Sequence, residues 1–257
     1  MRPARLVSCW FEVPDGRAWP PVWYERHARV LEHSARKNTP DWTIDVRKIA
    51  PAVPMMSAYG GNLSSAFAYN SYKLAWWSQA LQDAVDGERM LICDADLMVL
   101  RSLDPVWDIP FDVAITTKRE CSRIPLNGGV VFVRVNARSR AWFAEWLRWN
   151  TKLLGDARLH KRYRETYAGM NQAALGALIE NGGGQLADIA ELPCREWNCE
   201  TASWPLFDPS KPPRIVHIKG ALRRGLMDPT SANALATPAR RQIAAVWWAL
   251  EKEALSA

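Results

Sequence analysis

Two aspartates spaced two residues apart, Asp94 and Asp96, are the strongest chemical signal in this sequence of 257 residues. Apolar residues flank them on both sides in the stretch MLICDADLMVL at 90–100. Burying a carboxylate without a compensating charge is costly, and burying two is costlier. Two oxygen ligands at i and i+2 can reach one divalent ion from a tight turn. A solvated acidic turn is the alternative, but such turns do not usually interrupt apolar runs. We therefore predict that this pair binds a metal ion.

His217 is the candidate third ligand. It lies in the apolar run RIVHIKG, and the cations Lys219 and Arg223 follow it on either side of Gly220. An imidazole ligand followed by cations on a glycine turn is the arrangement that a metal-bound diphosphate requires. The alternative is an ordinary core histidine whose hydrogen bonds are satisfied within the protein.

Two stretches with amide side chains are candidate ligand contacts. Asn127, Gly128 and Gly129 precede the predicted strand VVFVR. They form either a hairpin turn or a backbone surface on which a ligand lies closely. Asn171 and Gln172 open a predicted helix, where such side chains either cap the helix or bind hydroxyl groups without adding charge.

Lys73 lies one predicted helix ahead of the aspartate pair, and it is either a solvated surface charge or a contact for phosphates or a donor sugar. The other three histidines show no ligand spacing, and the five cysteines are scattered without a CxxC pair. These patterns argue against a zinc site and a disulfide framework, and they favour a reducing compartment. The sequence also begins without an apparent secretory signal, so we expect a cytoplasmic protein.

The overall charge favours an anionic ligand without naming it. Lys and Arg number 33 against 27 for Asp and Glu, which gives a net charge of +6. Phosphates, nucleic acid and anionic lipid all fit this balance, but no long basic run supports nucleic-acid binding. No apolar stretch is long enough to cross a bilayer.

The elements that must position these residues alternate along the chain. Apolar alternation predicts strands at 6–13, 42–49, 89–93, 113–117, 130–135 and 215–218. Apolar stripes at helical spacing predict helices at 21–36, 74–85, 142–147, 171–180 and from 238 onward, and a loop is expected at 50–63. This order predicts one α/β domain whose mostly parallel sheet is flanked by helices. Ligands of such sheets lie beyond the carboxyl ends of the strands, and the aspartate pair follows one such end.

In chain order, these residues resemble the GT-A-fold glycosyltransferases, a Rossmann-like family, over roughly residues 4–225. The sequence is most similar to the group that contains glycogenin and the bacterial lipopolysaccharide α-galactosyltransferases. The matching positions are Lys73, Asp94 and Asp96, Asn127 and Gly129, Asn171 and Gln172, and His217, Gly220 and Arg223. Arg223 stands where the family has Lys, the usual Pro-Trp after it is absent, and Asn171 stands where the family has Asp.

The resemblance implies an enzyme that moves a sugar from a UDP-sugar to an acceptor with retention of configuration. It implies that Asp94, Asp96 and His217 bind Mn²⁺ (or Mg²⁺), which holds the diphosphate. The catalytic residues implied are Asn171, Gln172 and Arg223. The donor-binding residues expected are Trp10, Phe11, Lys73, Asp94, Ala95, Asn127, Gly128, Gly129, Lys219, Gly220 and Arg223. Trp10 and Phe11 are assigned to the base only from their position at the end of the first strand.

Two other functions stay open from the residues alone. A sugar nucleotidyltransferase would also use acidic metal ligands, but it needs a Gly-rich basic loop after the first strand, where this chain has CWFE. A non-catalytic domain that binds sugars or a membrane surface fits the 14 tryptophans and the positive charge. The acceptor is a carbohydrate, a glycolipid or a protein. Residues 1–230 are the expected catalytic domain and 231–257 a C-terminal helix packed on it, with peripheral membrane contact of that helix as the alternative.

Overall fold

The computed structural model describes residues 3–11, 21–50, 65–118, 123–228 and 235–256. The strands in these ranges are β1 (Arg5–Phe11), β2 (Thr43–Ile49), β3 (Arg89–Cys93), β4 (Leu97–Val99), β5 (Val113–Thr117), β6 (Leu126–Arg134), β7 (Ile189–Pro193) and β8 (Ile215–His217). The helices are α1 (Pro21–Asn38), α2 (Ser65–Asp83), α3 (Ala137–Gly155), α4 (Ala157–Tyr167), α5 (Asn171–Glu180), α6 (Gly183–Leu186), α7 (Cys194–Trp197), α8 (Gly220–Met227) and α9 (Pro238–Ser256).

Six strands form one sheet in the order β2-β1-β3-β6-β5-β7. The pairs β1–β2, β1–β3 and β5–β7 are parallel, whereas β6 runs antiparallel to both of its neighbours. A second, two-stranded antiparallel sheet joins β4 to β8. The mostly parallel α/β architecture predicted from the sequence is therefore confirmed.

Both faces of the central strands are buried, which explains why β3 and β6 are nearly continuous apolar runs. Met90 and Ile92 of β3 pack into the core on the face covered by α2, α3 and α5, and Leu91 and Cys93 pack into the core on the other face. This alternation follows from the two-residue repeat of a strand. Several tryptophans contribute to the hydrophobic core, since Trp77, Trp142 and Trp146 are fully buried on the face covered by α2, α3 and α5.

Most predicted elements are present, with three differences. Strand β6 begins at Leu126, so Asn127, Gly128 and Gly129 lie within the strand and do not form the hairpin turn. Helix α2 is longer than predicted at its start and ends at Asp83, which leaves Val85 outside the helix and 51% exposed. Strands β4 and β7 and helices α4, α6, α7 and α8 were not predicted. Strands β4 and β7 and helices α6 and α7 are too short to show a periodicity, polar residues dominate α4, and α8 begins at Gly220, where a turn was expected. The loop expected at 50–63 falls almost wholly outside the described residues.

Helix α9 packs its apolar stripe against α1 and α8. Ile243, Trp247 and Leu250 are buried in a cluster that also contains Val30 and Leu222. Arg26 of α1 donates to Glu251 of α9 at 2.8 Å and adds a polar link between the two helices. Within the part of the chain that the structure describes, no helix has the length and apolarity needed to span a membrane.

Candidate functional site

The three predicted metal ligands meet where the loop between β3 and β4, which carries two of them, lies next to β8, which carries the third. Asp94 follows β3, and its amide donates to the Gly129 carbonyl of the neighbouring β6 at 2.9 Å. Asp96 precedes β4, whose Leu97 pairs with His217 of β8. Nε2 of His217 lies 3.5 Å from Oδ2 of Asp94 and 3.2 Å from Oδ1 of Asp96. One ligand atom from each residue lies within 4.8 Å of the other two.

These atoms fit a divalent cation. Ligands at right angles around an ion that is about 2.1 Å from each lie roughly 3 Å apart, which is close to the two observed separations. A Cβ atom at Gly129 would lie 2.5 Å from Oδ2 of Asp94 and 2.6 Å from Cε1 of His217, so only glycine leaves this space free. Two carboxylates and one imidazole are common ligands of divalent metal ions. The residues present therefore fit a divalent metal ion, as the sequence predicted.

Each carboxylate of the pair also contacts a cation. Lys73 of α2 donates to Oδ1 of Asp94, and its ammonium lies 4.7 Å from the ring of Trp77. Arg223 of α8 donates to Oδ2 of Asp96, on the carboxylate oxygen that does not face His217. Burial raises the pKa of Asp96, but the Arg223 guanidinium and His217 outweigh it and hold the pKa well below its usual range. Asp96 is therefore ionised and ready to bind a cation.

A cavity of about 620 Å³ opens beside this cluster, a size typical of small-molecule sites. It is lined by predicted site residues from separate elements, namely Lys73, Asp94, Asn127, Gly128, Gly129, Asn171, Gln172 and Lys219. Residues that the sequence did not single out complete its wall, among them Asn70, Lys118, Arg123 and Glu200.

Comparison with known proteins identifies the architecture. No family model matches the sequence, and no curated protein matches it either. The chain is similar to a glycosyltransferase involved in the glycosylation of the major capsid of PBCV-1, with TM-score 0.59 and 14% identity over 91% of this chain and 100% of that one. It is similar to the galactosyltransferase LgtC in complex with donor and acceptor sugar analogs, with TM-score 0.51 and 14% identity over 94% and 95% of the two chains.

A third similar structure is the glycosyltransferase GlyE of Streptococcus pneumoniae TIGR4, with TM-score 0.54 and 13% identity over 100% of this chain and 64% of that one. The chain has a GT-A glycosyltransferase fold. At these identities the likeness concerns the fold, so the chemistry of this GT-A protein has to be argued from its own site.

Two buried amides in the GT-A cavity have polar atoms without partners among the described residues. Within the described part of the chain, neither side-chain polar atom of Asn171 nor Nδ2 of Asn127 has a hydrogen-bond partner, although the two residues are only 7% and 1% exposed. The side chain of Asn171 therefore does not cap α5. Unpaired buried polar groups are costly, so their presence in a cavity indicates a polar ligand. Gln172 differs, because its Nε2 donates to the Tyr167 carbonyl at 2.5 Å.

The cavity wall contains a buried ion pair that was not predicted from the sequence. Lys118 donates to Glu200 at 2.6 Å, and both side chains are 7% exposed. Burial raises the pKa of Glu200, but the hydrogen bond from Lys118 and the charge of Lys219 outweigh it, and the pKa is lowered. Burial lowers the pKa of Lys219, against the opposing charges of Glu200 and Asp94. Lys118 follows β5 directly, and this position at the end of a strand was the one sequence signal that could have marked it as a candidate site residue.

Asn198 is a further buried residue that was not predicted from the sequence. Its Oδ1 lies 2.9 Å from Nδ1 of His217, and its Nδ2 donates to Oγ1 of Thr116 at 2.8 Å. The Thr116 hydroxyl in turn donates to the Asn127 carbonyl at 2.9 Å. His217 is thus held from both sides of its ring, and burial together with the charge of Lys219 lowers its pKa.

Seven predicted site residues are not among those that line the cavity. Asp96, His217 and Arg223 belong to the cluster beside it, and the other four lie elsewhere. Trp10 lies beneath the ammonium of Lys48 at 5.4 Å, and Phe11 packs 5.2 Å from Tyr69. Ala95 is buried between the two aspartates. Gly220 opens α8 with a φ of +50°, a left-handed conformation that favours glycine. Their roles in donor binding stay predictions.

Proposed function

We propose that this protein is a metal-dependent glycosyltransferase that transfers a sugar from a UDP-sugar to a carbohydrate, glycolipid or protein acceptor, with retention of configuration. The observation that carries the proposal is the convergence of Asp94, Asp96 and His217 beside a cavity whose buried amides lack hydrogen-bond partners among the described residues. Mn²⁺ or Mg²⁺ bound there would supply Lewis-acid stabilisation of the departing diphosphate.

The cations of the site support a donor that carries phosphate. Lys219 lines the cavity, and we assign its ammonium to the diphosphate, where it neutralises the charge that develops as the UDP leaves. Arg223 holds Asp96 ionised and in place. Contact of Arg223 with the diphosphate itself is part of the proposal.

The amides are the residues we assign to the donor sugar. Asn171 and Asn127 can pair with sugar hydroxyls without adding charge, which satisfies groups that otherwise lack partners. Gln172 lies in the same wall, and its orientation is fixed by the Tyr167 carbonyl.

We infer that retention proceeds without a covalent sugar–enzyme intermediate at position 171, because a neutral amide is a weaker nucleophile than the carboxylate it replaces. The carboxylates that line the cavity in the described ranges are Asp94, a candidate metal ligand, and Glu200, which is paired with Lys118. We therefore propose attack from the face that the diphosphate leaves. The leaving phosphate oxygen accepts the proton of the acceptor hydroxyl.

Isothermal titration calorimetry with UDP, in the presence and absence of Mn²⁺, tests the proposal. We expect UDP binding that depends on Mn²⁺ in the wild type and is lost in Asp96→Ala. Asp108→Asn is the matched control, because Asp108 is exposed and does not line the cavity. A product-release screen of nucleotide sugars then identifies the donor. Metal-dependent turnover that is unchanged in Asp96→Ala would refute the metal role, and pyrophosphate-dependent formation of nucleotide sugars would indicate the nucleotidyltransferase instead.

A further inference from the structure

Asn198 links the candidate ligand His217 to a hydrogen-bond network behind the cavity. Asn198 follows α7, Thr116 lies in β5 and His217 ends β8, so three separate segments meet here. The side chains of all three are buried, with exposed fractions of 1% or less. Because these groups are buried from solvent, hydrogen bonds within the protein determine which atom carries each proton.

The direction of every bond in this network follows from one backbone carbonyl. The Asn127 carbonyl can only accept, so the Thr116 hydroxyl donates its single proton to it at 2.9 Å. Thr116 must then accept from the amide nitrogen of Asn198, which lies 2.8 Å away. The amide oxygen of Asn198 is left facing His217, where it accepts a proton from Nδ1 at 2.9 Å.

The carboxylates of Asp94 and Asp96 instead favour a proton on Nε2 of His217. Nε2 of His217 lies 3.2 Å from Oδ1 of Asp96 and 3.5 Å from Oδ2 of Asp94. A carboxylate is the stronger acceptor, so it draws the imidazole proton to Nε2. A proton there would occupy the lone pair that a metal needs. A neutral imidazole has one proton, and the network at Nδ1 competes with the carboxylates for it.

We propose that Asn198 and Thr116 are positioning residues that keep the proton of His217 on Nδ1, so that Nε2 offers its lone pair to the cation bound by Asp94 and Asp96. This inference rests on the proposed metal site. Strand β5 supports it, because the pairing with β6 shifts from Ile115 opposite Val131 to Thr116 opposite Asn127. Such a bulge redirects side chains, and here it joins Thr116 to the carbonyl that orients the network.

The tautomer can be measured in the metal-free protein. Long-range ¹H–¹⁵N NMR of protein labelled at the histidine nitrogens reports which ring nitrogen carries the proton, and His217→Gln identifies the His217 signals. We expect Nδ1–H in the wild type and a shift towards Nε2–H in Thr116→Val. The Mn²⁺ affinity measured by electron paramagnetic resonance should fall about 10- to 100-fold in that variant. Thr117→Val is the matched control, since the Thr117 hydroxyl donates to Glu191 at 3.4 Å and is not part of the network at His217.

Variants of Asn198 separate positioning from a purely structural role. Asn198→Asp keeps an acceptor opposite Nδ1, so we expect it to retain the wild-type tautomer and Mn²⁺ affinity. Asn198→Leu fills the space without an acceptor and should lose both. Equal Mn²⁺ affinities in the two variants, or an Nε2–H tautomer in a wild type that binds Mn²⁺, would overturn the inference. Absence of Mn²⁺ binding in the wild type would instead contradict the proposed metal site.

Discussion

Gly129 lies so close to the carboxylate of Asp94 that the site requires a residue without a side chain at this position. The Asp94 amide donates to the Gly129 carbonyl at 2.9 Å, and a Cβ at Gly129 would lie 2.5 Å from the Asp94 carboxylate. The same atom would lie 2.6 Å from the His217 ring, so the glycine keeps both candidate ligands in place.

Gly129→Ala should therefore weaken metal binding while the protein stays folded. The added methyl group displaces the side chains of Asp94 and His217 and leaves the strand backbone free to pair. We expect the Mn²⁺ affinity to fall at least about 10-fold, as for loss of ligand orientation. Calorimetric titration measures this, with Gly155→Ala as control because a Cβ there meets nothing within 4 Å. Wild-type Mn²⁺ affinity in Gly129→Ala would contradict the assigned geometry.

Asn171→Ala should reduce activity without reducing stability. Neither polar atom of the Asn171 side chain has a partner among the described residues, so the folded protein loses no hydrogen bond there. Loss of one or two bonds to a neutral ligand corresponds to about a 10- to 100-fold decrease in kcat/KM. Steady-state kinetics and thermal melts test both statements.

Asn181→Ala is the matched control for Asn171→Ala. The Asn181 amide donates to Tyr163 at 3.0 Å and to the Ala177 carbonyl at 2.7 Å, away from the cavity lining. This variant should melt at a lower temperature with kcat/KM unchanged. A large loss of stability in Asn171→Ala would show that its amide is bonded within the protein.

Glu200→Gln should destabilise the protein by about 3–5 kcal/mol, because it leaves the buried Lys118 ammonium without its counter-charge. The double variant Lys118→Met/Glu200→Met removes both charges and should recover most of this loss. Urea denaturation measures the free energies of unfolding. Glu200 also has a lowered pKa in the folded state, so its contribution is present above the unfolded pKa of about 4.3 and is lost as the pH falls below it. This assignment would be contradicted if the free energy of unfolding decreased by the same amount at acidic pH in Glu200→Gln and in the wild type.

His27 should make the stability of the protein depend on pH at mildly acidic values. Both ring nitrogens lack hydrogen-bond partners in the described structure, and burial and the Arg223 charge lower the pKa of His27 to about 3. The unfolded chain binds a proton below about 6.5 and the folded chain does not, so stability falls as the pH is lowered from 6.5 towards 3.

The expected loss from this histidine is about 1.4 kcal/mol at pH 5.5 relative to pH 8. His27→Phe should remove it, since the phenyl ring can keep the contact with Trp247, whose ring centre lies 5.4 Å from that of His27. His33→Gln changes a different histidine, one that contacts Glu253, and should leave the contribution of His27 in place. Denaturation curves at several pH values distinguish these outcomes. An unchanged slope between pH 8 and pH 5.5 in His27→Phe would contradict the assignment.

The elements that the sequence predicted best are those with strong local patterns. The β-branched and apolar runs of β1, β2, β3 and β5 and the helical stripes of α1, α3 and α5 each report burial within a few residues of chain. The start of β6 was wrong because Asn-Gly normally favours a turn. In this protein, pairing with β5 across the bulge overrides that local preference.

The sequence by itself determined the chemistry that was available: two carboxylates between apolar runs, a histidine followed by cations, and amides at the start of a helix. Tertiary structure decided which groups meet, and it added Asn198, Thr116, Lys118 and Glu200. The pairs Asn198–Thr116 and Lys118–Glu200 each join residues 82 positions apart. No local periodicity reports a contact at that separation, because it arises only when β5 and the segment after α7 reach the same end of the sheet.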